Sequence, residues 1–129
     1  MSLRILAGLS LLATFTGFSS APQAHVVRLE GNRFQPRQLS VHAGDTVRFV
    51  NGEGGPHNVE FDKDSIAPAE RKIIEGAMGP DKILPLSGPI MMLNGQVYTF
   101  VVPDLPVGRY AYLCSPHWAN MKGALVVER

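Results

Sequence analysis

Residues 109–128 read RYAYLCSPHWANMKGALVVE: a tyrosine-bearing run, a compact loop, then a run ending in paired valines. Both runs, 109–114 and 123–128, carry the aromatic and β-branched residues that favour extended backbone. The same texture recurs upstream at 26–30, 38–41, 46–51, 58–61, 90–93 and 96–102. Turn-forming residues fill the gaps: Ala43-Gly44-Asp45, Asn51-Gly52, Asn94-Gly95 and Pro106-Val107-Gly108. Within 46–51, Val47 and Phe49 share one face while Thr46 and Arg48 share the other. Short strands at this spacing predict an all-β sandwich or barrel. The exception is 69–75, where Pro68 fits a first helical position and Gly76 a helix end, predicting one or two helical turns. The rest of 62–88 reads as irregular.

The first 24 residues differ in kind. Arg4 is the one charged residue among them, an apolar run follows to Phe18, and Ser19, Ser20, Ala21 and Ala24 are small. A basic start, a short apolar stretch and a small-residue exit describe a secretory signal peptide over 1–24, with cleavage after Ala21 or Ala24. The remainder, 25–129, has the size of one domain. It is formally neutral, because the chain has 12 Lys+Arg against 11 Asp+Glu and Arg4 leaves with the leader. Neutrality gives no reason to bind nucleic acid or an anionic membrane. Local alternation, as in Asp62-Lys63-Asp64, reads as a solvated surface.

There is one cysteine, Cys114, and an exported protein normally pairs its cysteines. It is either an inert buried thiol or a metal ligand, and its neighbours favour the second. Cys114, His117 and Met121 fall within eight residues in a loop between two strands, short enough to turn thiolate, imidazole and thioether toward one centre. A fourth donor comes from elsewhere: Gly54-Gly55-Pro56-His57 presents a histidine from a tight turn ahead of a strand. Alone, His57 would read as a turn residue and Met121 as core filler. Together they form a set of two imidazoles, one thiolate and one weak thioether, which suits a single type 1 copper ion; zinc gains little from a thioether. His25 and His42 have no such partners and are read as solvent-facing.

On Pro56-His57-Asn58-Val59 with Phe61-Asp62, and on Tyr110-Ala-Tyr112-Leu-Cys114-Ser-Pro116-His117, the chain resembles cupredoxins of the plastocyanin type, a group that includes pseudoazurin and amicyanin. The resemblance implies an eight-stranded, two-sheet Greek-key sandwich with copper at one end. It also implies that Asn58 ties the two ligand loops together and that its backbone amide donates to the Cys114 sulfur, tuning the metal from outside its ligand shell. Three residues separate His117 from Met121, where plastocyanin and pseudoazurin typically have four and amicyanin two. Met121 is the one methionine after the cysteine; Asn120 is the alternative axial donor. Leu113 stands where plant plastocyanins carry a tyrosine used in docking, and their acidic patches are missing, so photosystem partners are not implied.

Four protein donors leave no open position for a substrate, which points to one-electron transfer and away from catalysis. A copper oxidase needs further histidine clusters, and a binuclear copper domain needs a second cysteine. A copper carrier or storage module is the alternative reading. Electrons are expected to pass through the edge of His117, inside an apolar collar of Pro116, Trp118, Pro56 and Pro36. The expected partners are transient redox proteins, with no nucleic acid and no small molecule at the metal, and a monomeric chain exported to the periplasm or another extracytoplasmic space. Ordinary core packing is the competing explanation of Trp118.

Overall fold

The computed structural model describes residues 13, 17 and 20–129, so most of the segment read as a signal peptide lies outside the described residues. Among the described residues, eight strands and one α-helix follow in order: β1 (Ala24–Glu30), β2 (Arg33–Gln35), β3 (Gln38–His42), β4 (Thr46–Asn51), β5 (Glu60–Phe61), α1 (Pro68–Ala77), β6 (Val97–Val101), β7 (Gly108–Leu113) and β8 (Lys122–Glu128). They form two four-stranded sheets, β2-β1-β4-β6 and β3-β8-β7-β5. The pairs β1·β4 and β3·β8 are parallel and the others antiparallel. This is the all-β, two-sheet sandwich with one short helix that the sequence, through its resemblance to the cupredoxins, leads one to expect.

Alternation along the strands builds the core. Val47 and Phe49 of β4, Tyr98 and Phe100 of β6, and Tyr110 and Tyr112 of β7 all point inward. Tyr112 stands at the centre of an aromatic cluster, with ring centroids 4.8 Å from Phe34, 5.5 Å from Phe49 and 5.9 Å from Phe61. All three contacts are edge-on, the arrangement the ring quadrupoles favour. The inward side of β7 continues past its end into Cys114, so the thiol rests on this apolar floor.

Several element boundaries differ from the sequence expectation. β2 was not anticipated: three residues with only Phe34 buried are too short to show a period. The expected strand 58–61 shortens to Glu60–Phe61, and 90–93 is no strand at all. In that stretch Met91 makes a single bridge with His57, after which Met92 N and Leu93 N both donate to Gln96 Oε1 and turn the chain. The helix runs through Gly76 and stops at Met78, because Gly79, at φ 80°, supplies the left-handed residue that ends it.

His25 is a clearer correction. Its ring is not solvent-facing: Nε2 lies 2.9 Å from Asp45 Oδ2, and the side chain is 18% exposed. Buried Asp45 also accepts hydrogen bonds from Gln23 N at 2.9 Å and His42 N at 3.0 Å, fastening the start of β1 to the β3–β4 turn. Burial alone would raise its pKa. The two amides and the His25 ring outweigh burial and hold Asp45 at about 2, below its ordinary 3.8.

Two predictions arise here. Because the folded pKa of Asp45 lies below the unfolded value, its stabilisation is complete above about pH 4 and disappears as pH falls toward 2. Asp45→Asn should therefore flatten the loss of stability across that window in urea titrations; an unaltered acid limb would contradict the assignment. Glycines give the second. A Cβ on Gly123 would lie 2.6 Å from Tyr112 Cε2 and 2.9 Å from Arg37 O, whereas one on Gly76 meets open space. Gly123→Ala should cost about 1–3 kcal/mol, and Gly76→Ala should stabilise by about 0.5–1 kcal/mol, read as opposite shifts of the urea midpoint.

Candidate metal centre

The β7–β8 loop is closed by its own backbone. Ser115–His117 forms a single 3-10 turn with Pro116 inside its first turn. His117 N donates to Cys114 O at 3.1 Å, and Asn120 N and Met121 N both donate to His117 O, at 3.1 and 2.9 Å. Cys114 N then donates to Met121 O at 3.0 Å, so the first and last expected ligands are paired through the main chain. This curl brings Cys114 Sγ to 3.5 Å from His117 Nδ1. Cys114 and Met121 are fully buried, and His117 is half-buried. Trp118 is 70% exposed, which rules out core packing for it. Pro116 and Pro36 are exposed and Pro56 half-buried.

His57 approaches from the connection that crosses from β4 of one sheet to β5 of the other. It is buried, and its ring centroid lies 5.1 Å from that of His117, tilted by 35°. Exchange of backbone hydrogen bonds with Met91 fixes its position: His57 N to Met91 O at 3.1 Å, and Met91 N to His57 O at 2.8 Å. The neighbouring 30–32 and 51–55 loops are locked by Gly31 N donating to Glu53 O at 2.7 Å and Gly52 N donating to Leu29 O at 2.8 Å. Gly54, at φ 82°, lies so close to Gly31 that a Cβ would stand 2.8 Å from the Gly31 Cα.

Both nitrogens of the His57 ring face oxygen. Nδ1 lies 2.7 Å from Asn51 Oδ1 and Nε2 lies 2.8 Å from Gly31 O. The Asn51 amide cannot reverse cheaply, because its Nδ2 donates to Leu93 O at 2.9 Å and Met91 O at 3.3 Å. A neutral imidazole carries one N–H, so one nitrogen then turns a lone pair toward an oxygen. A cation at that nitrogen satisfies what the protein does not. In this ring orientation, no three His, Cys, Asp or Glu side chains among the described residues form a preformed cage. Cys114 and His117 meet directly, His57 stands beside His117, and ligation by His57 requires one of its two oxygen contacts to be given up. With that exchange the donor chemistry fits copper: one thiol, two imidazoles and a buried thioether.

Burial pushes the Cys114 thiol pKa up, an effect only partly offset by the backbone amides of Asn58 and His117 that face the sulfur. The Asn58 side chain also bridges the loops: Ser115 N donates to its Oδ1 at 2.7 Å, and its Nδ2 donates to Ser115 Oγ at 3.0 Å and Ser87 Oγ at 3.2 Å. Asn51, Gly31, Ser115 and Glu60, whose carboxylate accepts from Ser115 Oγ, escaped the sequence reading. Asn51 and Gly31 lie in turns, where Asn and Gly are expected for turn chemistry alone, and nothing local marks them as partners of His57.

With this geometry in view, comparisons with known proteins are informative. The sequence pattern of copper binding proteins of the plastocyanin/azurin family matches residues 24–128. The chain is 32% identical to plastocyanin of Nostoc punctiforme, over 98% of this chain and 88% of that one. It is 36% identical to plastocyanin A'/A'' of Nicotiana tabacum, over 76% of this chain and 90% of the relative. Among solved structures, the reduced state of an amicyanin mutant superposes with a TM-score of 0.56 at 31% identity, covering 81% of this chain and 82% of that one. The Cu(I) form of another amicyanin mutant gives 0.57 at 32% identity, covering 84% and 86%. The likeness thus spans both sheets and both candidate ligand loops, and the chain belongs to the plastocyanin/azurin family of copper-binding proteins as a type 1, blue copper cupredoxin.

Proposed function

We propose that His57, Cys114, His117 and Met121 hold the single copper of this cupredoxin, and that the protein passes electrons between transient redox partners through the edge of His117. Copper bound there supplies one-electron chemistry, cycling between Cu(I) and Cu(II). The observation that carries the reading is the 3.5 Å approach of Cys114 Sγ to His117 Nδ1, with the His57 ring alongside and buried Met121 closing the same loop through its backbone. Electron transfer by a cupredoxin copper centre is the activity of this family, and the chain's own residues suit it.

The loop and its bridge to Asn58 restrain the donors, so little rearrangement opposes a change of oxidation state. Half-buried His117 has exposed Pro116 and Trp118 as chain neighbours, a small apolar contact suited to brief encounters. Pro56, which precedes His57, and Pro36 complete the proposed collar. The same bridge disfavours a copper carrier, whose loops must open to release metal. Export fits the leader read in 1–24, with the domain in 25–129. Because Gln23 N donates to Asp45 Oδ1 and Gln23 O accepts from Thr46 N, release after Ala21 keeps two hydrogen bonds that release after Ala24 removes. Among the described residues no helix is long and apolar enough to cross a membrane.

Replacing the thiol tests the ligand set: Cys114→Ser should lose the intense visible band while retaining measurable copper, and a persisting band would overturn the assignment. Trp118→Lys tests the collar. Electron self-exchange between oxidised and reduced copies, measured by NMR line broadening, should slow at least tenfold while the visible spectrum stays unchanged. Equal self-exchange rates in variant and wild type would remove Trp118 from the contact.

A further inference from the structure

Glu60 occupies β5 directly opposite Leu113, the residue before Cys114, and its Oε2 accepts a hydrogen bond from Ser115 Oγ, just after the cysteine. The direction of every bond in this cluster is fixed by chemistry. A backbone N–H can only donate, so the atom 2.7 Å from Ser115 N is correctly the Asn58 oxygen. The other end of that amide is then Nδ2, which donates to Ser115 Oγ at 3.0 Å. A hydroxyl that accepts from Asn58 sends its own hydrogen elsewhere, and the partner that receives it is the Glu60 carboxylate. The chain of donors therefore runs Asn58 → Ser115 → Glu60 and ends on an anion, where a hydrogen bond is about twice as strong as between neutral groups.

The first two members are covalent neighbours of the expected ligands, Asn58 of His57 and Ser115 of Cys114. We propose that Glu60 is a positioning residue of the copper centre. Its carboxylate anchors the Ser115–Asn58 bridge and sets a fixed negative charge beside the Cys114 loop. That charge favours the more positive oxidation state, so Glu60 lowers the reduction potential. The proposal rests on the ligand assignment above.

Glu75 offers an internal control. It lines the same surface groove as Glu60, Lys63, Arg71 and Lys72, yet has no hydrogen bond to the Cys114 loop. Redox titration of the copper-loaded proteins should show Glu60→Gln raising the equilibrium constant for reduction about threefold to tenfold, the upper figure being about 59 mV for one electron. Glu75→Gln, removing the same charge without touching the bridge, should move it less than about twofold on the same scale. Hydrogen exchange of the Ser115 backbone amide supplies a readout that needs no metal: Glu60→Ala should speed it at least tenfold, and Glu75→Ala should leave it unchanged. Equal potential shifts in the two glutamine variants, or an unaffected Ser115 amide, would overturn the proposal. Should Glu60→Ala not fold, Ser115→Ala makes the same cut from the other side, and unchanged exchange of its residue-115 amide would count against the bridge. A wild type that stays colourless with copper would overturn the ligand assignment instead, and the amide exchange tells that failure from this one.

Discussion

The paired hydrogen bonds between Asn58 and Ser115 are the constraint on which the rest of the site depends. They are separated by 57 positions in sequence, yet they fasten the loop before β5 to the loop after β7. Each loop is stiffened separately: the first by the His57–Met91 exchange and the Gly31–Glu53 contact, the second by its closure from Cys114 to Met121. Stiff loops alone would still leave the two imidazoles free to drift relative to one another. The bridge limits that freedom, and whichever of the Asn51 and Gly31 contacts His57 retains limits it further.

Beneath the loops, the sandwich supplies an apolar floor. Tyr112 packs edge-on against three rings and exposes almost none of itself, and its hydroxyl has no partner in the core. Desolvation drives its pKa upward, as it does that of the neighbouring Cys114 thiol. A thiol held this way resists ionisation until a cation arrives to take the proton's place. The two backbone amides facing the sulfur partly offset that resistance. Under the proposed ligand assignment, core packing and metal chemistry are coupled through a single strand: the inward face of β7 that buries Tyr110 and Tyr112 also carries Cys114 inward.

Much of this was legible in the chain. Alternation in 46–51 and the tyrosines of 109–114 gave the strands, because one buried face leaves a period of two. The spacing of Cys114, His117 and Met121 pointed to a closed loop, and the structure closes it: Cys114 Sγ approaches His117 Nδ1, and Cys114 N pairs with Met121 O. What escaped depends on contacts between residues distant in sequence. Asn51 meets His57 only because the 51–55 loop is pinned to Gly31, and Glu60 meets Ser115 only because β5 pairs with β7. β2 was too short to show a period, and the helix end fell to Gly79 because that glycine adopts the left-handed conformation while Gly76 stays inside the helix. The His25 ring was misjudged for the same reason: its partner, Asp45, lies 20 positions away in the β3–β4 turn.

The account stands on four donors of this chain closing around one copper ion. Titration of the oxidised protein with Cu(II), followed by visible absorption, tests that most directly. The account predicts an intense thiolate-to-copper band that grows linearly and stops at one equivalent. A pale, weakly absorbing adduct, or uptake continuing well past one equivalent with no intense band, would contradict it.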